Sequence, residues 1–440
     1  MSLADKNAEP LLAADDSRGP QNPADEIELL TIDDLDVEES RVLLRADFDV
    51  ALTSAATGSP VRVRDDARIR AALTTIDELR LRGARLVLLS QLGRPRGYDR
   101  ISSMRPVADR LAELTGVPVA LAPAVIGSRV RELTERLEPG QMLMLENVWF
   151  EAGDTCNDPR LATALAELAD LYVDDAFDRA HLAEASTWGV ARLLPAAAGR
   201  LMEREVNALS AVVHRPARPL VAIIGGTTVR GKMRLVHRFL HVADVVCVGG
   251  GMCFPFMAAL GHNVGTSLCP RDEVEQARLT LASAAGADGR LALPKDLVVA
   301  RWCQDERPLT RAADGVDVPH GWMGLDIGPG TRRWYAAEIL AAETVFWSGP
   351  MGRFELPQFA AGTRAIADAV ASTSAATVAE GGETLQALTR FGVHGRVGHV
   401  SAGGPAVLEF LAGRELPGVQ VLHKKRTAAS PRMRSGQGGT

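Results

Sequence analysis

Short apolar runs alternate with longer amphipathic stretches along most of this chain. The clearest case begins at Leu220. A β-branched apolar run over 220–224 reads as a buried strand and empties into Gly225-Gly226-Thr227-Thr228-Val229-Arg230-Gly231-Lys232. Met233, Leu235, Val236, Phe239 and Leu240 then fall on one face of a helix. A second apolar run over 245–248 leads into Gly249-Gly250-Gly251 and another helix opening near Met252. The same alternation predicts strands over 41–44, 85–90, 142–145 and 171–174, with helices over 68–82, 106–114 and 161–169. A long helix over 200–213 stops at Arg215-Pro216-Ala217-Arg218-Pro219, the best candidate for a domain boundary. Alternation at this spacing means βαβ units and parallel sheets, so the expected fold is α/β, two doubly wound domains joined by a helix.

At 440 residues the chain is too long for one core, and two domains of roughly 200 residues each fit the usual limit. The expected divisions are a disordered tail 1–28, an N-terminal domain 29–199, a hinge helix and linker 200–218, a C-terminal domain 219–422 and a basic tail 423–440. The first tail is acidic and the last basic, and two separately solvated ends are the simpler expectation. A net charge of −6 argues against nucleic-acid binding. Cys156, Cys247, Cys253, Cys269 and Cys303 show no CxxC spacing and are odd in number, which favours a reducing cytosol over a disulfide framework or zinc site. No apolar run approaches the ~20 residues of a membrane span, and no signal peptide is evident at the N-terminus.

Strand, glycine turn, helix is the arrangement that turns backbone N–H groups and a helix N-terminus toward a phosphate. Gly226 to Lys232 matches the first part of a P-loop, but Met233 stands where a hydroxyl should meet Mg²⁺, so that reading is weak. The number of glycine turns says more. Gly324-Leu325-Asp326-Ile327-Gly328-Pro329, Trp347-Ser348-Gly349-Pro350, Glu380-Gly381-Gly382-Glu383-Thr384 and Ser401-Ala402-Gly403-Gly404-Pro405 join the two already named. Six such turns along one sheet edge predict a ligand crevice.

Taken in order, Arg45-Ala46-Asp47-Phe48-Asp49, Leu92-Gly93-Arg94-Pro95, Leu145-Glu146-Asn147, Asp175-Ala176-Phe177, the segment 219–260 and Trp347 to Glu355 resemble the phosphoglycerate kinase family, from about residue 30 to about 422. The resemblance implies two Rossmann-like domains, ADP or ATP on the C-terminal one, the phosphoglycerate on a basic patch of the other, hinge closure between them, and a monomer. It places Gly225, Gly226, Thr228, Gly249, Gly250, Gly251, Gly382 and Thr384 with the nucleotide. Gly324, Leu325 and Pro350 would wrap the purine, Glu355 would hold the ribose hydroxyls, and Glu383 would bind Mg²⁺. Lys232 would screen the transferring phosphoryl group. Arg68 would bridge the acceptor carboxylate and that phosphoryl group, a task suited to a permanently charged fork. Arg45, Asp47, Asp49, Arg94, Trp149 and His181 fall at acceptor-binding positions.

The chain also departs from that pattern. Gln91 stands for a histidine, Trp149 and Leu182 for arginines, Glu184 for a histidine and Asp49 for an asparagine. Arg179 could restore one contact at most. In the nucleotide half Thr228 replaces a lysine, Ser348 an asparagine, Glu383 an aspartate and Glu380 a glycine, and Pro405 removes an N–H. Three readings stay open. The first is an ATP-dependent phosphotransferase making an acyl phosphate on a carboxylate other than 3-phosphoglycerate. The second is a phosphoglycerate kinase of low activity. The third is a nucleotide-binding or interaction protein without catalysis.

Overall fold

The structure is a computed structural model and describes residues 27–53, 61–95, 97–227, 229–287, 289–301, 309–313, 315–401 and 403–424. Thr228, Cys303 and Ala402 lie outside the described residues, as do both ends of the chain.

The first half forms β1 (Arg41–Arg45), β2 (Arg85–Leu89), β3 (Val119–Leu121), β4 (Met142–Met144), β5 (Leu171–Asp174) and β6 (Ala196–Ala198). They make one sheet in the order β3-β4-β2-β1-β5-β6, every pairing parallel. The central strands are buried on both faces, which is why they read as unbroken apolar runs rather than as alternating ones. The helix Ala67–Leu81 covers one face through Ile69, Ala72, Ile76 and Leu79.

The helix Arg200–Val213 follows, with the bounds the periodicity predicts. Its first turn is capped by a carboxylate distant in sequence. Asp175 Oδ1 accepts from the N–H groups of Leu201 at 2.8 Å and Met202 at 3.1 Å. Met202, Val206, Leu209 and Val212 bury its apolar stripe in a core that runs into both halves of the chain.

The second half supplies β7 (Leu220–Ile224), β8 (Val245–Val248), β9 (Arg290–Ala292), β10 (Leu297–Arg301), β11 (Leu309–Ala312), β12 (Met323–Ile327), β13 (Thr344–Ser348), β14 (Ala376–Glu380) and β15 (His399–Ser401). Six of these form a second parallel sheet, ordered β15-β14-β13-β7-β8-β9. The remaining three form a small antiparallel sheet, β11-β10-β12, absent from the sequence expectation. Gly324 to Ile327 therefore lie within β12 and not in a turn at the parallel edge. The glycine in that run suggested a turn, but pairing with β10 keeps it extended.

The first and last described residues lie together. Lys424 Nζ lies 3.2 Å from Glu28 and 3.4 Å from Asp34, and Leu29 and His423 form an antiparallel bridge. The rest of both tails lies outside the described residues. The two halves touch elsewhere too: Phe177 meets Phe410 edge-on at 6.4 Å, and His399 Nε2 lies 3.0 Å from Glu205 on the long helix. Among the described residues no helix is long and apolar enough to cross a membrane.

Candidate active site

The second parallel sheet ends in a level row. Val248, Ile224, Ser348, Glu380 and Ser401 are register partners across β8, β7, β13, β14 and β15. Gly249, Gly225, Gly349 and Gly381 follow four of them directly. These turns interlock. Gly225 N–H donates to Ser348 O at 2.8 Å, Gly226 N–H to Pro350 O at 2.8 Å, Gly249 N–H to Ile224 O at 3.0 Å and Gly250 N–H to Met351 O at 3.2 Å. Gly349 N–H donates to the buried Thr384 hydroxyl at 2.7 Å. The N–H groups of Gly225, Gly226, Gly249, Gly250 and Gly349 are thus taken up by neighbouring turns.

Close approach is what requires glycine here. A Cβ on Gly225 would sit 2.3 Å from the Pro350 carbonyl oxygen and 2.4 Å from Met351 Cε, while Gly226 has φ +91°. Gly225→Ala is therefore expected to destabilise the fold by about 1–3 kcal/mol and to weaken nucleotide binding. Thermal unfolding and calorimetry with Mg·ATP check both.

Beside this row opens a cavity of about 500 Å³. Gly226, Gly250, Gly251, Gly324, Leu325, Pro350, Glu355 and Glu383 line it, as do Phe254, Leu297, Met323 and Asp326, which sequence reasoning did not single out. The apolar members come from the small antiparallel sheet and the segment after Gly251, so the signal for them lay in the unrecognised strands. Gly324 has room for no side chain, because its Cβ would meet Phe254 Cζ at 2.4 Å. An apolar slot beside interlocked glycine turns and two rim carboxylates suits a nucleotide, its base in the slot and its phosphates toward the turns.

Of the other residues expected with the nucleotide, Gly225 and Gly249 sit behind the cavity surface, Thr384 braces Gly349, and Gly382 is exposed at the start of the helix Gly382–Arg390. Lys232 Nζ donates to Gly225 O at 3.0 Å and stands 3.4 Å from where a Cβ on Gly226 would be. Burial pulls its ammonium below the usual lysine range, and Glu380 and then Glu383 push it back. Glu383 is exposed, and among the described residues it forms no hydrogen bond or ion pair. A single rim carboxylate with substrate phosphates and water is an ordinary Mg²⁺ ligand set, so the residues present fit that ion.

The first sheet carries a separate group of charges. Arg45 is wholly buried: Nε donates to Ser186 Oγ at 3.2 Å, Nη1 to Ala46 O at 2.7 Å and Nη2 to Gln91 Oε1 at 2.5 Å. Gln91 in turn donates to Asp47 Oδ1 at 3.1 Å. Arg68 pairs with Asp47 and lies 3.6 Å from Asp178. Arg179 pairs with the buried Glu184 and stacks 5.1 Å over the Trp149 ring. Asp49 accepts from Gly93 N–H at 2.8 Å, and Arg94 beside it is exposed, without an ion pair among the described residues. Burial pushes the Asp178 carboxyl up from its ordinary value against the pull of Arg45, Arg68 and Arg179. Asp178 Oδ1, His181 Nδ1 and Trp149 Nε1 are buried without a hydrogen-bond partner.

Sequence reasoning missed Asp178 and Asp154. Both stand in charged loops beside quoted motifs, which was the available signal. Asn147 is the knot of this wall, accepting from Leu92 and Trp149 N–H and donating to Leu92 O at 2.7 Å.

Comparison with known proteins places this geometry. The family model "Phosphoglycerate kinase" matches residues 32–414. The phosphoglycerate kinase of Desulforudis audaxviator is 46% identical over 397 residues, covering 90% of this chain and 99% of that one. That of Frankia casuarinae is 44% identical over 403 residues, covering 89% and 99%. Among solved structures, phosphoglycerate kinase from Coxiella burnetii superposes with a TM-score of 0.82 at 36% identity, covering 90% of this chain and 98% of that one. The enzyme from Pyrococcus horikoshii gives 0.73 at 28% identity, with the same coverage. With two parallel sheets and a match across nearly the whole described chain, this protein belongs to the phosphoglycerate kinase family.

Proposed function

We propose that this kinase transfers the γ-phosphoryl group of ATP to a carboxylate whose far end is apolar or amine-bearing rather than phosphorylated. The observation that carries the reading is the engagement of the arginines on the first sheet. Arg45, Arg68 and Arg179 each face a carboxylate or are saturated by neutral acceptors, and of the four arginines at this group Arg94 alone is exposed and, among the described residues, unpaired. A phosphate of charge near −2 would have to displace Asp47, Asp178 or Glu184. Each charge-assisted hydrogen bond it fails to make costs it roughly 1.5–3 kcal/mol, a factor of about ten or more in affinity. Trp149, Leu182 and the unpartnered Asp178 oxygen suit an apolar or cationic group better.

Phosphoryl transfer asks for positioning and positive charge around three equatorial oxygens. In this reading the base occupies the slot by Gly324 and Leu325, Glu355 holds the ribose and Lys232 faces the transferred group. Arg68 leaves Asp47 to fork between the acceptor carboxylate and that group. One carboxylate oxygen bonds to the γ-phosphorus as the bond to the β-γ bridging oxygen breaks, giving an acyl phosphate and ADP. Glu383 would hold Mg²⁺, which when bound neutralises phosphate oxygens. We place the enzyme in the cytosol as a monomer.

An ADP-forming assay against a panel of small carboxylic acids tests this, with 3-phosphoglycerate, aliphatic and amino acids included. We expect 3-phosphoglycerate to stimulate ADP release weakly or not at all and another acid to do so well. Turnover of 3-phosphoglycerate at ordinary kinase rates overturns the altered acceptor and favours a true phosphoglycerate kinase, a reading supported by the 46% identity to a protein of that name. No heat of binding with Mg·ATP leaves the non-catalytic reading.

A further inference from the structure

In the charge group on the first sheet, a cationic nitrogen is seated between two carboxylates. Arg68 Nη1 pairs with Asp47 Oδ2 and lies 3.6 Å from Asp178 Oδ2. The two acidic side chains are only 11% and 18% exposed, against 38% for the arginine that reaches in to them. The arginine is thus the member of the trio with room to move. Asp47 Oδ1 is fixed from the other side, accepting from Asp49 N–H at 3.0 Å and from Gln91 Nε2 at 3.1 Å. Asp178 Oδ1 is buried with no hydrogen-bond partner. The neighbouring carboxylates are engaged elsewhere: Glu184 is held by Arg179, and Asp49 accepts from Gly93 N–H at 2.8 Å. Asp47 and Asp178 are therefore the two that share Arg68.

Transfer to a carboxylate asks that arginine to leave. Once its fork turns to the acceptor and the γ-phosphoryl group, two largely buried carboxylates lose the charge that stood between them, and such groups need a partner. A purely anionic acceptor brings more negative charge to the same place. An acceptor carrying an ammonium group supplies the missing nitrogen, with three donors to offer the oxygens left open. We propose that the acceptor is a zwitterionic amino acid whose ammonium takes the place of Arg68 Nη1 between Asp47 and Asp178 while Arg68 grips its carboxylate. The guanidinium gives up one nitrogen's place and stays beside it, so a short carbon spacer separates the two charged ends. In the reaction the ammonium keeps its protons. A carboxylate oxygen bonds to the γ-phosphorus as the bond to the β-γ bridging oxygen breaks, and the products are an aminoacyl phosphate and ADP. The inference rests on the reading of Arg68 as the group that turns to the acceptor, and narrows that acceptor to one class.

The experiment is calorimetry on the full chain with Mg·ADP present, so that binding is read without turnover. Glycine, β-alanine, 4-aminobutyrate and L-phenylalanine are each compared with the same acid lacking the amine: acetate, propionate, butyrate and 3-phenylpropionate. 3-Phosphoglycerate is titrated alongside. At least one amino acid is expected to bind about tenfold or more tighter than its amine-free counterpart, the size of one charge-assisted contact. In Asp178→Asn, which keeps the shape and removes the charge, that preference should shrink to within about twofold, with the amine-free acid little changed. The preference of the native protein tests the proposal whether or not the variant folds. Amine-free acids that bind as tightly as the amino acids overturn the ammonium site and leave the altered acceptor standing. Tightest binding by 3-phosphoglycerate overturns the altered acceptor, and this inference with it. A preference that survives Asp178→Asn overturns the placement between Asp47 and Asp178. Absence of binding by every amino acid in the set overturns the proposal as well.

Discussion

Arg68→Ala is expected to remove turnover by on the order of 10²- to 10³-fold while leaving Mg·ATP affinity within about twofold. Arg68 stands on the helix Ala67–Leu81 of the first sheet, whereas the nucleotide cavity is lined by the second. Its loss therefore removes charge from the transition state and not from the nucleotide's ground state. Its pairs with Asp47 and Asp178 are 38% exposed on the arginine side, and such pairs contribute about 0–1 kcal/mol. The fold should survive, and the melting temperature should move little. Arg68→Lys keeps the charge but not the planar fork, so it should recover only part of the rate. Single-turnover ADP release with the acceptor found in the panel, set against calorimetry, checks the split. Full activity in Arg68→Ala would show that the guanidinium only braces Asp47.

Legibility in the sequence followed periodicity. The helix Arg200–Val213 and the parallel strands β1, β2, β5, β7 and β8 announce themselves because burial on both faces makes each strand a continuous apolar run. The antiparallel sheet does not. β11 is exposed along its length, and β12 carries Gly324 and Asp326, residues that read as a turn. Glycine turns marked the strand ends beside which the cavity opens, but sequence alone did not reveal that their N–H groups donate to carbonyl oxygens of neighbouring turns. Motif residues located Arg45, Asp47 and Asn147 as important without showing how. Only the fold brings Gln91 between Arg45 and Asp47, or sets Glu184 against Arg179. These contacts join residues far apart in sequence or depend on one rotamer, and neither leaves a periodic trace.

Asp174→Asn should flatten the protein's stability against pH, and the sign follows from where the carboxyl lies. Asp174 ends β5 beneath the arginine network, wholly buried, with Oδ1 accepting from Ala176 N–H at 2.9 Å and Oδ2 without a partner. Burial pushes its carboxyl from 3.8 up to about 7 in spite of that hydrogen bond and of Arg45. A pKa raised in the folded state means the folded chain holds a proton that the unfolded chain releases. The associated stability is complete below about pH 4, declines through the window from 3.8 to about 7, and is gone above it. Over that window the change is about 4 kcal/mol at 1.36 kcal/mol per pH unit. Asparagine cannot ionise, so the variant should match the native protein near pH 4 and exceed it near pH 8. Asp175, pushed up to about 6 by burial, contributes a slope of the same sign that both proteins share. Urea midpoints at pH 4.5 and 7.5 read the difference. Parallel curves would mean that Arg45, which also faces Asp154 and Asp178, keeps Asp174 ionised throughout, and that the arginine is more fully neutralised than its three hydrogen bonds alone require.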